Sequence, residues 1–248
     1  MHRNELENYL NQLLEISHFR DYCPNGLQVE GRDKIRKVIS GVTASLDFLQ
    51  AAVAANADAI LVHHGYFWRG EVERLVGIKH HRIALLMAHN LNLFAYHLPL
   101  DAHRELGNNT QLAHRLGLVE TARFGEQDIA VQGKLTQPST LRELGKNISR
   151  VLLRDPMIIG DQDKPVQHIA WCTGAAQGYF EEAAQRGVDV FITGEISEQT
   201  VHIARESGVA FISAGHHATE RYGVQALGEH IAQKFDIHHQ FIDIENPV

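Results

Sequence analysis

Apolar positions along this chain follow two alternating rhythms. Leu6, Leu10, Leu13 and Leu14 recur at helical spacing, which predicts an amphipathic helix over about residues 4–18. The stretch Cys23-Pro-Asn-Gly-Leu-Gln reads as a turn by its Pro and Asn-Gly chemistry. Short apolar runs at 37–43, 59–62 and 93–96 then read as strands, separated by helical stretches at 46–56 and about 79–90. Pro99 is expected to stop any continuous helix or strand, and 108–116 reads as a helix. Over 119–166 the pattern is mixed: a strand pair near 129–136, a helix near 139–150 and the turn-rich GDQDKP at 160–165. The earlier grammar then resumes, with strands at 169–173, 190–193 and 209–214, helices at 179–186, 198–207 and about 218–234, and a last strand at 239–244. Strands alternating with helices of this length predict an α/β fold with mainly parallel sheets.

The second half echoes the first. When ADAILVHH (57–64) is set above VDVFITGE (188–195), Asp58 falls on Asp189 and the His63-His64 pair on Gly194-Glu195. When NLFAYHLPLD (92–101) is set above AFISAGHHATE (210–220) with His97 on His216, Asp101 falls on Glu220. Both halves thus run strand, helix, strand, then His-x-x-x-acid. We expect two similar, interlinked α/β halves, 1–125 and 126–248, with no large inserted domain.

Composition narrows the setting. The 248 residues suffice for a sizeable core. A formal charge of −7 counts against a surface built to neutralise nucleic-acid phosphates, so nucleic acid is not an expected partner. No apolar run approaches the roughly 20 residues needed to span a bilayer, and the polar N-terminus lacks a signal-peptide core. Two cysteines, Cys23 and Cys172, fit a reducing cytosol, so a cytoplasmic location is expected.

The chemistry concentrates where predicted strands end. His63, His64, His97, Glu195 and His216 each follow the last apolar residue of a strand, the position where open parallel sheets gather functional groups. Glu220 lies four residues after His216, one helical turn away. Imidazole plus carboxylate suits Zn²⁺, Mn²⁺ or Fe²⁺. His63, His64, Asp101, His216 and Glu220 exceed one tetrahedral shell, so two divalent ions per chain are the expectation. His97 reads either as a ligand or as a donor that orients Asp101. Glu195 reads as a general base, as an acid behind the metal ligands or as a helix cap. His80-His81 and His238-His239 lack a carboxylate at a suitable spacing and read as solvent-facing pairs. Trp68 and Phe67 read as packing or interface residues rather than as a base-stacking platform.

These segments resemble a known family. Pro24-Asn25-Gly26-Leu27-Gln28, His63-His64-Gly65, His97-Leu98-Pro99-Leu100-Asp101, Thr193-Gly194-Glu195 and Gly215-His216-His217-Ala218-Thr219-Glu220 are similar to the Nif-three-like family, widely labelled "GTP cyclohydrolase 1 type 2 homolog". The resemblance covers nearly the whole chain. It implies a dinuclear metal centre whose ligands map onto His63, His64, Asp101, His216 and Glu220. It also implies a ring-shaped homohexamer with the metal sites facing inward. Many relatives have Pro after the His pair, where this chain has Gly65, and longer relatives carry an inserted domain that residues 119–166 are too few to form. The function expected is a metal-dependent hydrolase of GTP cyclohydrolase type acting on a small molecule, with Glu195 or His97 carrying the proton. The alternative is a non-catalytic, metal-binding regulatory or scaffold ring. The chain has no P-loop and no Gly-x-Gly-x-x-Gly phosphate cradle.

Overall fold

The computed structural model describes all 248 residues. The chain begins with α1 (Arg3–Leu13), β1 (Gly26–Val29), β2 (Lys37–Thr43), α2 (Leu46–Ala54), β3 (Ala59–His64), α3 (Gly77–Ala88), β4 (Asn92–Ala95) and α4 (Leu98–Ala102). It continues with α5 (Asn108–Leu116), β5 (Leu118–Phe124), β6 (Ala130–Thr140), α6 (Leu141–Leu152), β7 (Met157–Ile159) and β8 (Pro165–Trp171). Then come α7 (Phe180–Gln185), β9 (Val190–Thr193), α8 (Glu198–Ser207) and β10 (Ala210–Ser213). The long helix α9 (His216–Phe235) and the strand β11 (His238–Phe241) close the set.

Two compact units result. The first comprises Met1–Gly107 with Gly223–Glu245, and the second Asn108–Tyr222 with Asn246–Val248. The sequence reading divides the interlinked halves near 125; the compact units divide near 107, and the first also takes in 223–245. Strand β5 pairs with β6, so residues 118–124 go with the second sheet. Strand β11 lies parallel to β2, so the chain returns to finish the first sheet.

The first sheet has the order β1-β4-β3-β2-β11, parallel except for β1. Both of its faces are covered, which explains the unbroken apolar runs of its central strands. On one face Ile39, Ile60, Val62 and Leu93 pack with Phe48 and Leu49 of α2 and Ile83 and Leu86 of α3. On the other, Val38, Leu61 and Phe94 pack with Leu6 and Leu10 of α1 and with Val224, Leu227 and Ile231 of α9. The second sheet has the order β5-β6-β8-β9-β10-β7. Its centre, β8-β9-β10, is parallel, whereas β5, β6 and β7 join antiparallel, so "mainly parallel" fits the first sheet better than the second. Trp171, Val190, Ile192 and Ile212 pack on one of its faces with Leu144 and Ile148 of α6. Phe180, Phe191 and Phe211 form an aromatic cluster in the same unit.

The echo in the sequence has a structural counterpart. Asp58 Oδ2 accepts from the backbone N–H groups of Arg36 and Lys37, and Asp189 Oδ2 accepts from those of Gln167 and His168. Each carboxylate thereby ties the start of one parallel strand to the next. The β2-β3-β4 and β8-β9-β10 triplets share strand order and direction. They differ at the last step: Gly215, at φ +100°, adds one residue between the end of β10 and His216.

Three local expectations need correction. The Cys23–Gln28 segment is not all turn, because β1 starts at Gly26 and pairs antiparallel with β4. Pro99 does not prevent a helix: it sits in the first turn of α4, where no intrahelical N–H is required of it. His239 does not face solvent. Its Nε2 lies 2.8 Å from Ser40 Oγ, and a side chain at Gly228 would collide with its ring.

Burial pushes the His239 imidazolium down to about 4. The unfolded chain therefore binds a proton near pH 6.5 that the folded chain refuses, and stability falls as pH drops from about 6.5 towards 4. We expect His239→Gln to flatten this part of the stability-versus-pH curve, measured by urea unfolding at pH 7 and pH 5. An unchanged slope would show that His239 does not set it.

Candidate metal centre

The first unit brings four of the expected residues together. His63 and His64 are the last two residues of β3, and His63 is fully buried. His63 Nδ1 lies 2.9 Å from the Tyr96 carbonyl, which can only accept, so Nδ1 carries a proton and Nε2 is the nitrogen turned to the other side. That Nε2 is 3.4 Å from Asp101 Oδ1. Asp101 is 5% exposed and rides on α4, one turn after His97, whose carbonyl receives its N–H. His64 Nδ1 is 3.1 Å from Thr43 Oγ1 across the β2–β3 register. The His63 and His64 rings are 4.5 Å apart, and the His97 ring is 5.0 Å from the first and 5.8 Å from the second. One nitrogen of each of these three imidazoles lies within 4.8 Å of the others.

Gly65 has a packing reason. A Cβ there would stand 2.2 Å from Gln28 Oε1 and 2.6 Å from Ala95 Cβ. Gln28 holds the chain beyond the His pair, accepting from Tyr66 N–H at 2.7 Å and donating to the Tyr66 and Pro24 carbonyls.

His97 has a partner that the sequence reading missed. Its Nδ1 is 2.7 Å from Asp21 Oδ1. The same carboxylate accepts from Leu98 N–H, Tyr22 N–H and Asn25 Nδ2, while Asn25 Oδ1 accepts from His97 N–H. Burial pushes the Asp21 carboxyl up, but the hydrogen bond and charge of His97, with the bonds from Asn25 and Tyr22, outweigh it and hold the group below its ordinary value. The ring of His97 is thus oriented through Nδ1 by Asp21, a carboxylate that neither expected role included. No spacing rule flags Asp21; only its proximity to the Pro-Asn-Gly turn could have drawn attention to it.

The second unit gathers the other expected residues. His216 starts α9. Its Nδ1 is 2.7 Å from Glu195 Oε1 and its Nε2 is 3.1 Å from Glu220 Oε2, so His and Glu four residues apart do share a helix face. Burial lowers the His216 pKa, but hydrogen bonds and charge from Glu220 and then Glu195 reverse this and raise it to about 9. Glu195 does not cap α8, whose N-cap is Ser197. It orients His216. Glu220 is 3% exposed, and a Cβ at Gly174 would stand 2.1 Å from its Oε1. Gly174 N–H also donates to Thr219 Oγ1. A Cβ at Gly194 would collide with the His216 backbone, so glycine there allows the β9 and β10 ends to approach.

The donor chemistry fits divalent transition metals. His63 and His216 each have Nδ1 held by an oxygen acceptor of their own unit, the arrangement by which metal-binding imidazoles are oriented. Both buried carboxylates stand beside such an imidazole. A cation at His216 Nε2 would compete with the proton that Glu220 now stabilises there.

The sequence profile of the Duf34/NIF3 (NGG1p interacting factor 3) family matches residues 1–247. A Yersinia pestis protein named "GTP cyclohydrolase 1 type 2 homolog" is 53% identical over 249 residues, covering 100% of both chains. One of the same name from Escherichia coli K12 is 48% identical over 248 residues, again covering 100% of both. Among solved structures, the protein ybgI, described as of unknown function, superposes with TM-score 0.97 at 48% identity over 100% of both chains. A Thermus thermophilus protein does so with TM-score 0.91 at 34% identity, also over 100% of both. Similarity at this level along the whole length settles the family: the chain belongs to the Duf34/NIF3 family.

Proposed function

We propose that His63, His64, Asp101, His216 and Glu220 together hold two divalent cations, Zn²⁺, Mn²⁺ or Fe²⁺, and that the protein is a metal-dependent hydrolase of a small molecule. The observation that carries this reading is the orientation of His63 and His216. Each has one ring nitrogen fixed by an acceptor behind it and the other beside a buried carboxylate. Such a cation pair supplies a bound water of lowered pKa and polarises the group under attack. The chain's own residues would manage protons. His97, held by Asp21 through Nδ1, has Nε2 to take or return one, and Glu195 keeps its proton-sharing bond with His216 Nδ1. The relatives' name points to ring-opening hydrolysis of a guanine nucleotide as the first reaction to try.

The test is metal analysis of protein purified without chelator, followed by assays on GTP, phosphoesters, amides and cyclic nucleotides. We expect about two ions per chain and chelator-sensitive turnover of at least one substrate. Full metal content without turnover would instead support the non-catalytic regulatory or scaffold reading. A ring-shaped homohexamer belongs to the same proposal. Light scattering should then give about six times the 27.8 kDa chain mass.

A further inference from the structure

The loop that follows the His pair places a half-buried tryptophan beside two imidazoles of the candidate centre. After Gly65 the chain turns back through Phe67, which adopts φ +66°, a left-handed conformation that bulky residues seldom take. Trp68 follows. Its ring lies 6.0 Å from that of His64 and 5.0 Å from that of His97, at 83° to the latter. Tyr22 approaches the same His97 ring at 6.4 Å and 64° and is 54% exposed.

The loop is pinned from several sides. Trp68 Nε1–H donates to the Gly65 carbonyl, and Trp68 N–H to Glu71 Oε2. Arg69 N–H donates to the Tyr22 carbonyl, and its guanidinium donates to the Asp21 carbonyl and sits 5.8 Å from the Tyr22 ring centre. The indole N–H is thus consumed internally, and what Trp68 offers a ligand is its apolar ring. Two aromatic rings beside two imidazoles, on a loop bent through an unfavourable backbone angle, form a stacking surface in the first unit.

We propose that Trp68, with Tyr22 beside it, stacks a planar nitrogen heterocycle of the substrate next to His64 and His97. This names the substrate class for the hydrolase reading above and rests on it. It also revises the expectation that Trp68 serves only packing or an interface. Stacking on an aromatic side chain is tolerant of which base is bound. The surface therefore selects flat heteroaromatic rings over aliphatic substrates.

The probes are guanosine, GTP and inorganic triphosphate, titrated into the full-length protein with metal and after chelation, with tryptophan emission as readout for the wild type and titration calorimetry as readout for the wild type and both Trp68 variants. Trp171, the other tryptophan, is fully buried and reports no direct contact. We expect saturable quenching by guanosine and GTP and none by triphosphate. Trp68→Ala should weaken guanosine binding about five- to hundred-fold with metal content unchanged, and Trp68→Phe should restore binding to within a few-fold while abolishing the quench. No guanosine binding by the wild type, equal affinity in Trp68→Ala, or quenching by triphosphate alone would each overturn the proposal. Thermal melts of both variants check the fold, and Trp68→Phe keeps the test decisive if Trp68→Ala misfolds. The hydrolase reading fails separately, on metal content and turnover, and the quench by guanosine in chelated protein is read independently of both.

Discussion

His216→Ala abolishes hydrolysis and strips bound metal, whereas Glu195→Gln leaves a weakened but working centre. That contrast is the first expected result. The alanine variant removes a ligand outright, and the Glu220 carboxylate, 3% exposed, loses the imidazole at 3.1 Å. The Glu195 variant keeps an amide oxygen that can accept from His216 Nδ1–H and removes only the negative charge behind the ring, a change to an outer partner that typically costs about 10- to 100-fold in metal affinity or activity. Metal per chain by elemental analysis, with a competitive chelator titration, should rank wild type above Glu195→Gln and Glu195→Gln above His216→Ala. Equal retention of metal in both variants would remove His216 from the centre. A pH dependence follows. Because the carboxylates hold the metal-free His216 protonated up to about pH 9, a cation must displace that proton at any lower pH. Affinity should therefore weaken as pH falls below about 9, by up to about tenfold per unit. Glu195→Gln should move the onset of this weakening to lower pH.

The second large effect is expected at Asp21. Asp21→Asn replaces an acceptor of four hydrogen bonds by a group that must present an N–H to some of the same donors. His97 then keeps at most an uncharged amide acceptor at Nδ1, and Leu98 N–H and Asn25 Nδ2 face an N–H instead of an oxygen. We expect turnover to fall about 10²- to 10⁴-fold, the range for losing a positioned proton carrier, with metal content unchanged. Pre-steady-state measurements separate this from simple loosening, because the chemical step should slow while substrate binding and metal content hold. Retention of wild-type turnover would show that the Asp21–His97 pair is structural. The carboxylate also contributes to stability. Its folded pKa lies below its ordinary 3.8, so its contribution is present above that pH and is lost as pH falls through the folded value.

Much of this molecule was legible because its central strands are buried on both faces. Runs such as AILV at 59–62 or VFIT at 190–193 have no polar alternation to confuse them, and each leads directly into a residue pair of the candidate centre. The His216–Glu220 spacing was equally direct, since helical geometry alone brings i and i+4 together. What escaped were the antiparallel margins. β1 hides in a Pro-Asn-Gly segment, β7 has three residues, and β5 has mostly exposed or half-buried positions, so none shows a clear period. Asp21 escaped for a related reason: its partners are 4, 76 and 77 residues away in places set by tertiary folding. His239 misled because a His-His pair at a strand edge carries no sign of the glycine at 228 that makes room for its ring.

The return of residues 223–245 to the first unit constrains how a newly made chain can mature. Strand β11 lies beside β2, whose residues leave the ribosome about 200 positions earlier, and Val224, Leu227 and Ile231 cover a face of the sheet that α1 only partly shields. The face of the first sheet that α9 covers therefore stays uncovered until residues 108–222 and then 223–245 have been made. A stalled or truncated translation product lacking β11 would expose the sheet edge at β2, a ready template for aggregation.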